Sequence, residues 1–175
     1  FRYLDPRLFS LHLFAYQSFI WNASAARFLA SLCPPEALLR VPHVTGPLPV
    51  HAALTDETLS SLKFLQFPLI SHKTVFADEK IASAVREALA KEGLTLEGFR
   101  IKKVSRKFFR DEPRPFLLFP ADLRVSKPMA DELHRGRQKV RLAFSLPPGS
   151  YGTLVVKRLF AGSPSAERRT EMGRR

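Results

Sequence analysis

From residue 5 to residue 33 apolar side chains return at helical spacing, with Phe9, Leu13, Tyr16 and Ile20 on one stripe and Phe14, Trp21 and Phe28 widening it. Asp5 followed by Pro6 is a helix start signal, and neither Pro nor Gly recurs until Pro34-Pro35. One long helix is predicted. Residues 34–49 are rich in Pro with short β-prone pieces such as 39–41, an irregular crossing that marks a boundary. Thr55 or Asp56 is placed to cap a short helix through Leu65. Asp78 is placed to cap a firmer one, with Ile81, Val85, Ala88 and Leu89 on one face and Gly93 as its stop. Over residues 99–110 apolar and basic positions alternate, which predicts a strand and loop with one cationic side. A short apolar strand is expected over 115–119, a polar connection over 131–138, and an alternating strand over 140–146 that Pro147-Pro148-Gly149 breaks. Ser150 then caps a helix reaching Phe160, and residues 162–175, of mixed charge and no periodicity, are expected to be disordered. The mixture of elements is α+β.

Composition sharpens the partner class. The 175 residues are 45% hydrophobic, enough to bury a core, and carry a formal net charge of +12. Residues 1–60 hold four basic and four acidic side chains, so the whole excess lies beyond residue 60 and favours a polyanion, nucleic acid first. Cys33 is the only cysteine, which excludes an internal disulfide and a cysteine-rich zinc site and fits a reducing cytoplasm. Residues 8–33 are apolar enough to raise a leader or a membrane span, but His12, Gln17, Asn22 and Arg27 interrupt them, so a buried helix is expected and no membrane. The sequence opens on Phe1 without a Met and is read as a piece of a longer polypeptide.

Candidate chemistry is sparse. His12, His43, His51, His72 and His134 are scattered without a pair at i, i+4, so no metal site is expected. No Gly-x-Ser-x-Gly elbow occurs, so serine or cysteine nucleophilic catalysis is not expected, and no glycine-rich phosphate loop occurs, so no nucleotide cofactor is expected. Arg100, Lys102, Lys103, Arg106, Lys107 and Arg110 lie beside Phe99, Phe108 and Phe109, a mixture suited to RNA phosphates and base stacking. The same pattern also describes core phenylalanines behind a solvated edge strand. The stretch 140–159 reads as strand, Pro-Gly turn and helix, with Tyr151 and backbone N–H groups at the turn, where a base and its phosphate could be held. Tyr151 is equally placed to staple the helix onto the strand.

Three blocks resemble one family. Leu146-Pro147-Pro148-Gly149-Ser150-Tyr151-Gly152-Thr153-Leu154-Val155-Val156 is similar to the Leu-Pro-x-Gly-Ser-[Tyr/Phe]-Ala-Thr-x-x-[Val/Leu] signature of TruD-type tRNA pseudouridine synthases. Gln17-Ser18-Phe19-Ile20-Trp21-Asn22 with Arg27 resembles that family's Gln-Ser-x-[Leu/Ile]-[Phe/Trp]-Asn helix, and residues 114–123 its Arg-x-x-x-x-x-Pro-x-x-Leu strand. The resemblance implies a long helix at a domain junction (1–33), a TruD-type insertion domain (34–118), a C-terminal strand and helix of the synthase sheet (119–161) and a tail (162–175). It implies isomerisation of a tRNA uridine, at position 13 in bacteria, without cofactor or metal. Gly149, Ser150, Tyr151 and Lys157 would then contact the substrate, Tyr151 packing on the target nucleotide and Lys157 standing for the family's helix Arg. The cations from Arg100 to Arg110 would hold phosphates, while Gln17 and Asn22 would fix the helix through backbone hydrogen bonds. Gly152 replaces the family's Ala, and Lys157-Arg158 its Arg-Glu. No Gly-x-Lys-Asp segment occurs, so the nucleophilic aspartate is expected upstream and this piece alone is expected to be inactive. A non-catalytic RNA-binding module of the same architecture is the alternative, and a basic assembly protein without RNA a third.

Overall fold

The computed structural model describes residues 5–100, 109 and 112–162, and the chain forms two compact units. In the first, Phe1–Leu117 with Ala161–Arg175, helix α1 spans Pro6–Leu32. The Asp5 carboxylate accepts from the Arg7 N–H at 2.7 Å, as the Asp-Pro start predicted. The buried stripe of α1 is Gln17, Ile20, Ser24, Phe28 and Leu29. Toward its start Leu8 and Leu11 are exposed, so the apolar pattern there is not spent in this core.

The irregular crossing expected over 34–49 is partly regular. After a 3-10 turn at Pro35–Ala37, β1 (Leu38–Val41) and β2 (Leu48–His51) pair antiparallel, Leu38 opposite His51 and Val41 opposite Leu48. Helix α2 (Asp56–Leu62) is capped by the Thr55 hydroxyl, which accepts from Thr58 N–H at 3.2 Å, and it stops at Leu62 rather than Leu65. Helix α3 (Glu79–Lys91) is capped by Asp78 through Lys80 and Ile81 N–H, and Gly93 at φ +67° ends it. Its predicted face, Ile81, Val85, Ala88 and Leu89, is buried.

Strand β3 (Gln66–Leu69) pairs antiparallel with β4 (Glu112–Pro115), Phe67 opposite Arg114. In place of the apolar strand expected over 115–119, the strand begins three residues earlier and ends at Pro115, with Phe116 N–H still donating to Leu65 O at 2.9 Å. An aromatic cluster joins these elements: the Phe67 ring meets Trp21 edge-on at 5.7 Å, Phe28 at 5.6 Å and Phe116 at 5.5 Å. Phe99, in a 3-10 turn at Leu96–Phe99, is buried against Tyr16 and Phe109. Of the expected strand and loop over 99–110, only residues 99, 100 and 109 are described.

The second unit, Leu118–Phe160, holds a long two-stranded ribbon and one helix. β5 (Ala121–Val125) pairs antiparallel with β8 (Leu142–Ser145), interrupted by a bulge between Ala121 and Arg124 where Asp122 takes φ 53°. Ser126 N–H to Arg141 O (2.9 Å) carries the pairing on to β6 (Met129–Ala130) and β7 (Gln138–Lys139). The polar connection of the sequence reading is thus the tip of a hairpin. Helix α4 runs Gly152–Leu159. No described residue of this unit is fully buried, and every residue of β5 is exposed.

Candidate nucleic-acid site

The turn before α4 is set by its sequence. Gly149 takes φ 82°, a left-handed conformation that a side chain resists, and Ser150 N–H closes the turn onto Pro147 O at 3.2 Å. Ser150 was expected to cap the helix. The N-cap position instead belongs to Tyr151, whose carbonyl accepts from Leu154 N–H at 3.0 Å and which makes no side-chain capping bond. The reason lies in the chain length of the Pro-Pro-Gly-Ser turn, which uses Ser150 to finish the turn and leaves the next residue to begin the helix. Tyr151 is 58% exposed, so it is not spent as a buried staple. Lys157, half-buried, lies in the last turn of α4 beside Arg158, where cations suit the helix dipole. Gly152, the first residue of α4, has room for a methyl group: a Cβ would come 3.6 Å from Leu146 Cδ1 and 3.8 Å from Phe144 Cε2.

Of the basic run, Arg100 is exposed at the end of the 3-10 turn, its N–H bonded to Glu97 O at 3.2 Å. Lys102, Lys103, Arg106, Lys107 and Arg110 lie outside the described residues, as does Phe108. Phe99 is fully buried and the half-buried Phe109 packs on it at 4.9 Å, so both rings pack with the core.

The family motif on α1 has a structural role. Gln17 is fully buried and its Nε2 donates to Ile70 O at 2.6 Å; Trp21 Nε1 donates to Phe67 O at 3.3 Å. The first ties α1 to the residue just after β3 and the second ties it to the strand itself. Asn22 instead lines a cleft of about 310 Å³ with Phe19, Arg27, Gly46, Pro47 and Lys91. Arg27 reaches back to Ala23 O at 3.0 Å and lies 4.0 Å from the Glu87 carboxylate. Burial raises the Cys33 thiol pKa, and burial followed by the Glu92 charge raises the Tyr16 phenol, so neither ionises near neutrality.

Sequence reasoning missed the cations of the ribbon. Arg124, Lys127, Arg135, Arg137 and Arg141 are exposed on it, although of these only Arg141 fell in a stretch read as an alternating strand, and none was singled out. At its tip Asp131 accepts from Leu133 N–H and from His134 Nδ1, each at 2.9 Å, and these bonds, the backbone one foremost, hold its carboxyl below the ordinary aspartate pKa. Among the described residues no group of three or more His, Cys, Asp or Glu side chains is gathered for a metal ion, and no helix is long and apolar enough to cross a membrane.

The model of the family described as tRNA pseudouridine synthase D (TruD) matches residues 50–159. The probable tRNA pseudouridine synthase D 2 of Methanocaldococcus jannaschii is 31% identical over 167 residues, 95% of this chain and 39% of the relative. The probable tRNA pseudouridine synthase D 1 of Methanococcus maripaludis is 31% identical over 91% of this chain and 40% of its own length. The tRNA pseudouridine synthase D of Aquifex aeolicus is 24% identical over 91% of the chain and 39% of its own. The chain therefore spans about two fifths of the length of these curated relatives. No solved structure matches it. With the Gly149-Ser150-Tyr151 turn and α4 inside the matched span, and the Gln17 helix inside the aligned share of the relatives, the chain belongs to the TruD family.

Proposed function

We propose that the protein to which this chain belongs isomerises a uridine of tRNA, at position 13 by analogy with the bacterial enzymes, to pseudouridine. The observation that carries this reading is the exposed Tyr151 ring at a turn fixed by Gly149, within the family match. The target nucleotide leaves its stack, and Tyr151 packs against it while Gly149 and Ser150 border it. An aspartate attacks the flipped nucleotide, the N1–C1′ bond breaks, the base turns, and a C5–C1′ bond forms as the bond to the aspartate breaks and frees its carboxylate, C5 gives up its proton and N1 gains one. The sequence has no Gly-x-Lys-Asp segment, so that aspartate comes from outside these 175 residues. Lys157 helps hold the substrate, and Arg100, Lys102, Lys103, Arg106, Lys107 and Arg110 hold tRNA phosphates.

In this reading residues 119–161 are the last strand and helix of the synthase sheet. Support comes from β5, wholly exposed, and from a ribbon whose strands each have one partner among the described residues, which is an incomplete layer. Residues 1–33 then form the junction helix, 34–118 the insertion domain and 162–175 a tail. A tRNA-modifying enzyme works beside its substrate, which points to the cytoplasm.

The test is tritium release from tRNA labelled at C5 of uridine, using the full polypeptide. Tyr151→Ala is expected to lower turnover on the order of a hundredfold while tRNA affinity changes little, because misplacing the reacting group by about 1 Å costs that much. Salt-sensitive tRNA binding without any release of tritium would favour the non-catalytic module. Absence of both would end the RNA reading.

A further inference from the structure

The second unit carries eight basic residues against three acidic ones, and its carboxylates are unequally available. Asp131 is occupied inside the hairpin tip by Leu133 N–H and His134, and Glu132 is paired with Lys139. Asp122 sits at the bulge on β5. The tip itself is fixed: Asp131 N–H donates to Arg137 O and Arg137 N–H to His134 O, both at 3.0 Å, and Gly136 takes φ 78° to close the turn. Arg135 and Arg137 flank that glycine with exposed side chains, and the described residues set no carboxylate against either. Below them Ser126 and Arg141 are joined twice, by Ser126 N–H to Arg141 O and by Arg141 N–H to Ser126 Oγ, which places Lys127, the next residue, and Arg141 on the two arms at the base of the hairpin.

We propose that the β6–β7 hairpin is an RNA-backbone clamp, in which Arg135 and Arg137 at the tip and Lys127 and Arg141 at its base hold successive phosphates. The inference rests on the tRNA reading above and adds the element that grips the RNA. A polyanion is the partner that fits. Guanidinium forks match phosphate oxygens, and four cations that no carboxylate among the described residues pairs repel one another on a narrow ribbon until counter-charge arrives. The ordered tip also means that little conformational freedom is lost on binding. The segment is distinct from residues 100–110, so its contribution is separable.

The experiment compares the full polypeptide with its R135A/R137A variant for binding to an unmodified tRNA transcript over a range of KCl concentrations. The slope of log affinity against log salt is expected to shrink by about 1.5, since each phosphate contact contributes roughly 0.7–0.9. R135K/R137K is expected to restore most of it, because lysine still supplies a point charge to phosphate. Arg86→Ala, which removes an α3 cation paired with Glu79, is expected to leave the slope unchanged. Slope and affinity unchanged in R135A/R137A, with wild-type binding salt-dependent, would overturn the clamp and leave the ribbon to an acidic protein surface. Salt-independent or absent binding by the wild type would instead defeat the tRNA reading itself.

Discussion

Gly152 opens α4 with no side chain, at a position where the TruD family carries alanine. The departure from the family's alanine was visible, but whether a methyl group fits depends on Leu146 and Phe144, which leave ordinary contact distance. Gly152→Ala is expected to stabilise the chain by about 0.5–1 kcal/mol through the loss of unfolded-chain freedom, read as a higher urea midpoint. Gln17 was assigned a backbone partner from its residue type, and the partner proved to be Ile70 O, 53 positions away. Gln17→Leu leaves that buried carbonyl without this donor and is expected to cost about 1–3 kcal/mol. Asp131 could not be read at all, because its chemistry depends on a turn that brings Leu133 N–H and His134 onto one carboxylate. Its pKa is lowered by folding, so its contribution is present above the unfolded value and is lost as pH falls through the lower folded value. The Leu133 amide shift is expected to titrate below the ordinary aspartate range, and Asp131→Asn to abolish that titration.

Elements with local signals were legible and those with distant partners were not. Helices α1 and α3 declared themselves by period and cap, and Asp78→Ala is expected to cost about 1 kcal/mol in thermal or urea unfolding, because two amides of the first turn lose their acceptor. The β1–β2 hairpin was hidden by the prolines of residues 34–49, which argue against a strand unless they sit at an edge. The pairing of β3 with β4 was beyond reach for a stronger reason. Pro68 lies opposite Pro113, so neither contributes an N–H, and more than forty residues separate the strands; aromatic packing around Phe67 decides the pairing, not a local preference. The basic run was legible as charge, yet Phe99 and Phe109 went to the core, since alternation alone does not say which side of a segment faces inward.

At the scale of the molecule the two units differ in what holds them. The first has a continuous core from Ile20 through Phe67 to Leu89, whereas the second has no fully buried residue and leaves Phe119, Leu123, Val125, Leu159 and Phe160 open to water. Hydrophobic burial is the main stabilising term, about 25 cal/mol for each Å² of apolar surface removed from water, so the ribbon and α4 gain little of it. Their backbone hydrogen bonds are accordingly expected to open by local fluctuation, independently of the first core. Hydrogen exchange on the 175-residue chain tests this directly. Amides of α3 from Val85 to Leu89 are expected to be the slowest, and those of β8 and α4 to exchange orders of magnitude faster. Equal protection would mean that the ribbon unfolds only with the core and would remove the argument that its layer is incomplete. In the full polypeptide, the same amides are expected to slow by the factor that burial of β5 and α4 against further strands supplies. A gain confined to β8 and α4, with α3 unchanged, is the signature of a sheet completed by residues outside these 175.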